Sequence, residues 1–219
     1  MEEISARLRQ ALAAPLPGLE AQLRLAPQPR VGWDPNRVPD GLRDAAALVL
    51  LYPHDGRLHV PLTVRGGGMR THTGQVSLPG GSMDAGESIE AAALREAVEE
   101  VGVDPADVTI LGRLTSLHIP VSGFLLHPVV GVAGGRPRFQ TAEWEVARLL
   151  EVPLAVLDDP DTLRTERRQR PAGGRVIEIE VPYFAFEGEK VWGATAMILA
   201  EFLAVTRAAR LISESLVRE

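Results

Sequence analysis

The stretch Gly81-Ser82-Met83-Asp84-Ala85-Gly86-Glu87-Ser88-Ile89-Glu90-Ala91-Ala92-Ala93-Leu94-Arg95-Glu96-Ala97-Val98-Glu99-Glu100-Val101-Gly102-Val103 decides how the chain folds. It reads as a glycine-bearing loop running into a helix from about Ser88 to Val101. Ser88 offers a side-chain oxygen to the first-turn N–H groups, Glu90 meets the positive end of the helix dipole, and Gly102 supplies the stop. At about 100° per residue, Glu96, Glu99 and Glu100 project from one side, with Ala91, Leu94, Val98 and Val101 expected opposite. Three carboxylates at i, i+3 and i+4 repel one another and raise one another's pKa unless a cation joins them. Hard oxygen donors grouped in this way suit Mg²⁺ or Mn²⁺. From the helix alone, an acidic surface patch partnered by Arg95 is an equally good reading.

The loop breaks that tie. Counting back from the helix gives Gly81, five residues, Glu87, seven residues, Arg95-Glu96, then Glu99-Glu100 and Gly102. This resembles the signature of the Nudix family, G-x5-E-x7-R-E-U-x-E-E-x-G-U, with U a bulky aliphatic residue. All the fixed positions match, a coincidence on the order of one in 10⁸ per starting position at ordinary residue usage. Ala97 departs from the first aliphatic position, and Val103 satisfies the last.

The resemblance implies an α/β fold, the Nudix-type α/β/α sandwich with a mixed β-sheet, and hydrolysis of a diphosphate bond with Mg²⁺ or Mn²⁺. It implies that Glu96 and Glu100 are the principal metal ligands and that Glu99 holds a further metal or orients the attacking water. Arg95 and Glu87 match the pair that fixes the helix, and a backbone carbonyl near Gly80 can reach the metal. Physical chemistry asks for the same parts: a cation to neutralise the non-bridging oxygens, a means of making water nucleophilic, and glycines at 80, 81 and 86 that let backbone approach phosphate. Glu99 or Glu100 is expected to assist deprotonation of the water, with Glu145 in reserve.

Upstream, Pro61-Leu62-Thr63-Val64-Arg65-Gly66, Arg70, Gly74 and Leu78-Pro79-Gly80-Gly81 are spaced as in the accessory motif of the coenzyme A pyrophosphatase branch, L-L-T-x-R-S-x3-R-x3-G-x3-F-P-G-G. Pro61, Gly66 and Leu78 depart from it. The segment Trp192-Gly193-Ala194-Thr195-Ala196 also looks like this branch. Arg65 and Arg70 would give a polyanion its local counter-charge in forks that match phosphate oxygens; pairing with Glu87 or nearby acids is the plainer alternative. Arg65, Arg70, Gly74, Gly80 and Gly81 are thus the expected substrate contacts, and coenzyme A or an acylated form the expected substrate. ADP-ribose or another nucleoside diphosphate derivative remains the alternative, and a catalytically dead nucleotide sensor is disfavoured because every box glutamate is present.

Farther out, Ala45–Tyr52 and Leu58–Arg65 read as strands joined by a Pro53–Gly56 turn. Val108–Ile119 and Phe124–Ala133 read as two more, residues 143–150 as a helix, Val176–Phe186 as a strand, and Ala194 to Leu211 as the last helix. The arginines at 164, 167, 168 and 170 read as a solvated loop, with contact to a phosphate as the alternative, and Trp144 and Trp192 as core packing before adenine stacking. Of the histidines at 54, 59, 72, 118 and 127, only His72, in the glycine loop, is placed to touch substrate. Residues 1–40, punctuated by Pro15, Pro17, Pro27, Pro29, Pro35 and Pro39, read as a helix followed by an arm packed on a core of 41–219.

The 219 residues carry a formal charge of −6, are 45% hydrophobic and 24% charged, and include no cysteine. That excludes disulfides, thiolate catalysis and iron–sulfur clusters. The acidic balance argues against a broad nucleic-acid surface. The acidic Met1-Glu2-Glu3-Ile4 start and the short apolar run Ala45–Tyr52 argue against a secretory signal and a membrane span. The expectation is a cytoplasmic enzyme for a small-molecule substrate, monomer or homodimer.

Overall fold

The computed structural model describes residues 1–31, 33–34, 37–66, 74–120 and 122–212. Its centre is β1 (Arg43–His54), which runs parallel to β7 (Phe124–Ala133) along its length. At its far end β1 turns back into β2 (Arg57–Arg65) through Asp55-Gly56, both at positive φ, the two-residue turn whose twist matches that of the strands. Only Tyr52–His54 pair with β2; the near end, Ala45–Ala47, pairs instead with β4 (Gly80–Ser82). The sheet therefore forks. One limb carries β2 with β3 (Val76–Ser77) and β8 (Val146–Pro153); the other carries β7 with β5 (Val108–Arg113) and β6 (Leu117–Ile119). A second, antiparallel sheet is made by β9 (Leu163–Ala172), β10 (Arg175–Phe186) and β11 (Glu189–Trp192).

Both faces of β1 are covered, which is why its sequence is a continuous apolar run rather than an alternation. Ala47, Val49 and Leu51 face a core closed by α5 (Gly193–Ala208) and by Leu8 of α1 (Glu2–Ala13). Ala46, Leu48, Leu50 and Tyr52 face a second core closed by α3 (Ile89–Val101). The result is an α/β/α sandwich around a mixed sheet.

Four stretches differ from the sequence expectation. Residues 143–150 are not helical: Val146 begins β8, and burial of Leu150 and Val152 at period two seats the strand on the open edge of β2. A short apolar run does not by itself distinguish the two periods. A short helix, α4 (Leu154–Asp158), follows β8 directly. The arginine stretch is β9, not a loop, paired residue for residue with β10 across a Gly173-Gly174 turn at positive φ. Val108–Ile119 breaks into β5 and β6 around Leu114–Ser116. Within 1–40, α2 (Gly18–Leu23) forms despite the flanking prolines and packs with α1 on α5; Gln28 then exchanges backbone hydrogen bonds of 2.9 and 2.7 Å with Glu180 of β10. Among the described residues no helix is long and apolar enough to cross a membrane.

Candidate active site

The ends of α3 form as its local sequence dictates. The Ser88 hydroxyl accepts from the Ala91 N–H at 3.2 Å, and Gly102, at φ 68°, donates to the Val98 carbonyl at 3.0 Å. Its faces do not follow the expected division. Ala92, Ala93, Ala97 and Val101 are the buried residues on the sheet side, whereas Ala91 and Val98 are exposed. The three alanines let the helix axis lie close to β1 and β4, and this brings carboxylates inward that a bulkier face would hold off. Ala97, the one departure in the signature, is thus 1% exposed core. Glu100 is 5% exposed and Glu96 is largely covered, while the Glu99 side chain stays 54% exposed.

The glycines of β4 serve that close approach. A Cβ on Gly80 would lie 2.5 Å from the Ala46 carbonyl oxygen, and one on Gly81 would run into the Glu96 carboxylate. Arg95 ties the loop to the helix. Its Nε and Nη2 donate to the two Glu87 oxygens at 3.0 Å each, its Nη1 to Glu96 at 2.7 Å and Glu99 at 3.3 Å, and its Nη2 also to the Ser82 carbonyl at 2.9 Å. The Asp84 N–H closes the loop onto Glu87 at 3.1 Å. Glu87 is accordingly held below the usual carboxylate range, first by Arg95 and then by the Asp84 N–H, and Arg95 is pushed up by the hydrogen bonds to Glu87 and Glu96.

The inner carboxylates behave in the opposite way. Burial raises Glu96 even against Arg95, with Glu99 and Glu145 adding to the rise. Glu100 is pushed up to about 8, first by burial, then by Glu145 and Glu96; Arg65 and the Gly80 backbone pull weakly the other way. Its Oε2 is buried with no hydrogen-bond partner. A carboxyl group placed so is a poor structural element, because a buried polar atom with an unmade hydrogen bond costs about 1–3 kcal/mol and burial also opposes its ionisation.

Arg65 stands at a bulge in β2 opposite Val146, and its N–H and C=O close the hairpin onto Gln75 and Gly74, each at 3.0 Å. The Gly66 N–H donates to the Glu145 carbonyl at 2.8 Å, fixing Glu145 beside this turn. Gly80 and Gly81 lie against Glu100 and Glu96, the charge of Arg65 acts on Glu100, and Gly74 closes the hairpin onto Arg65; Arg70 and His72 lie outside the described residues. Glu145, held in reserve by the sequence reading, is the carboxylate whose charge acts on both Glu96 and Glu100. Its signal was hidden by the helical reading of 143–150, since only as the residue leading into β8 does it face the end of β2. Trp144 is 71% exposed and is not core. Among the described residues no three acidic or histidine side chains close a cage around a cation. Mg²⁺ does not require one, binding through one or two carboxylates with water and phosphate completing the shell. An inward-facing pair of raised glutamates with one unpartnered oxygen fits such an ion.

The NUDIX domain matches residues 42–171, from the start of β1 to near the end of β9. A protein of Pectobacterium atrosepticum named as an uncharacterized Nudix hydrolase, NudL, is 40% identical over 161 residues, covering 72% of this chain and 79% of its own. A protein of the same name from Photorhabdus laumondii is 34% identical over 184 residues, covering 81% and 89%. Among solved structures, the Nudix hydrolase RenU of M. smegmatis superposes with a TM-score of 0.44 at 25% identity, over 53% of this chain and 74% of that one. The arginine-clamped helix, its glycine loop and the extent of the match leave one conclusion, that this chain belongs to the Nudix hydrolase family.

Proposed function

We propose that the chain hydrolyses the diphosphate bond of coenzyme A, free or acylated, to adenosine 3′,5′-bisphosphate and 4′-phosphopantetheine or its acyl form, with Mg²⁺ or Mn²⁺ as cofactor. The observation that carries the diphosphate chemistry is the buried, unpartnered Glu100 oxygen beside Glu96 and beneath the Gly80–Gly81 backbone. Coenzyme A as the substrate is supported by the spacing of Arg65, Arg70, Gly74 and Pro79-Gly80-Gly81, and by Arg65 carrying its charge toward Glu100.

In this reading Glu96 and Glu100 hold the metal, and Glu99 takes a further ion or orients water. When bound, the cation neutralises the non-bridging oxygens and lowers the pKa of water. Arg95 and Glu87 keep the carboxylates at a fixed height above the loop. Arg65, and Arg70 with it, meets the phosphate charge. As the water oxygen bonds to phosphorus and the bridging P–O bond breaks toward the departing phosphate, Glu99 or Glu100 receives the water proton; Glu145 is the remaining carboxylate within electrostatic reach. Preorganised charge of this kind supplies most of the barrier lowering in phosphoryl transfer.

The test is incubation with coenzyme A, ADP-ribose, NADH and diadenosine phosphates in the presence of metal, with products read by mass. Adenosine bisphosphate formed from coenzyme A ahead of cleavage of the others is the expected result. Preferential cleavage of ADP-ribose would overturn the substrate, and wild-type turnover by both Glu99→Gln and Glu100→Gln would overturn the chemistry.

A further inference from the structure

On the α5 side of the sheet lies a cavity of about 350 Å³ whose walls come from four separate parts of the chain. Arg30 and Trp33 come from the segment after α2, His118 from β6, Arg168 and Arg170 from β9, and Trp192 from the end of β11, just ahead of α5. Its lining among the described residues holds three arginines and no carboxylate. Arg168 reaches outside the lining to pair with Glu166.

Three buried side-chain nitrogens on these walls have no hydrogen-bond partner: Arg30 Nη1, Trp33 Nε1 and His118 Nδ1. Guanidinium and indole nitrogens can only donate. Leaving such groups unmatched is costly, so a cluster of them around one cavity calls for an occupant rich in acceptors. The remaining lining is mostly apolar. Arg30 lies over the Trp33 ring at 5.6 Å and Arg168 over the Trp192 ring at 4.1 Å, with Ile119 and Met197 between the walls. Stacked indoles and guanidinium planes take planar heteroaromatic rings, while unmatched cationic donors take phosphate oxygens. The start of α5 adds to the second demand. Trp192 gives no side-chain cap, and Gly193 and Ala194 bring the positive end of a 16-residue helix to the cavity.

We propose that this cavity binds a phosphorylated purine, the nucleotide half of the substrate. Its volume falls within the range of small-ligand sites. The Thr195 hydroxyl donates to the Val76 carbonyl at 3.1 Å, fastening the cavity wall to β3, which runs through Leu78-Pro79 into Gly80. Naming the ligand as part of the substrate rests on the diphosphatase reading above; its binding does not.

The experiment is calorimetric titration of the full chain with adenosine 3′,5′-bisphosphate in chelator, where no hydrolysis can occur. Saturable binding is expected, weakened about tenfold or more by Arg30→Gln and by Trp33→Phe, as loss of a charged or buried hydrogen bond requires, and unchanged in Glu100→Gln. Arg170→Gln, on a different element, serves as the reporter if either substitution lowers the melting temperature. Absence of binding, wild-type affinity in the folded variants, or equal affinity for inorganic phosphate or 4′-phosphopantetheine would overturn the proposal. Failure of the wild-type chain to cleave coenzyme A, ADP-ribose, NADH or diadenosine phosphates in the presence of metal would instead sink the diphosphatase reading and leave the nucleotide site standing.

Discussion

Glu100 and Glu201 are both buried, at 5% and 0% exposure, under opposite helical layers of the same sandwich. Around Glu201 every need is met by neutral groups. Gln22 Nε2 donates at 2.7 Å, the Thr115 hydroxyl at 2.7 Å, the Thr115 N–H to both oxygens at 3.2 Å, and the Gly18 N–H at 3.2 Å. That carboxylate is a joint, fastening α2 and the β5–β6 connection to α5. Around Glu100 one oxygen is unmatched and the nearest charges include two further carboxylates. Equal burial thus serves two ends. A buried acid that closes its hydrogen bonds holds the fold together, whereas one that leaves them open holds a place for something else.

Substitutions at the two positions should separate these roles. Glu100→Gln is expected to lower kcat on the order of 10²–10⁴-fold with its melting temperature held or raised, read by steady-state kinetics and calorimetry. Glu201→Ala should do the reverse, losing roughly 3 kcal/mol in denaturant titration as several donors lose their acceptor together, with kcat little changed in the folded fraction. A catalytic collapse in folded Glu201→Ala would erase the distinction.

Acidity sharpens it further. The folded pKa of Glu100, about 8, stands above its ordinary value of 4.5. The folded state therefore keeps a proton that the unfolded chain releases. This contribution is full below pH 4.5 and is lost as pH rises through 8, at no more than about 1.4 kcal/mol per pH unit. Metal-free protein should lose stability across that window. Magnesium should restore it, and Glu100→Gln should flatten the slope; a metal-free profile identical in wild type and variant would contradict the assignment. The smallest effect expected is that of Ser88→Ala, about 1 kcal/mol from the lost helix cap, with the metal requirement unchanged.

Legibility follows the same division between local and distant causes. The limits of α3 were readable because Ser88 and Gly102 act on their own neighbours, and the β1–β2 turn because Asp55-Gly56 specifies it alone. The inward turn of Glu96 and Glu100 was not, because it depends on how near Ala92, Ala93 and Ala97 let the helix come to strands far away in sequence. β8 and β9 were missed for a related reason. β8 is a strand because β2 has an open edge, and β9 carries too few apolar residues to show a period, although Gly173-Gly174 ahead of the β10 alternation was a usable hairpin signal. Glu145, a reserve candidate from the sequence, has its charge set beside Glu96 and Glu100 because β8 is a strand.

The alanine face of α3 also sets a gauge for the whole enzyme. Side chains of a single methyl fix the clearance between helix and sheet, so the vertical position of the acidic groups is machined into the hydrophobic layer itself. A larger aliphatic residue at Ala93 would act as a shim, lifting the helix and silencing the enzyme while every charged group kept its identity.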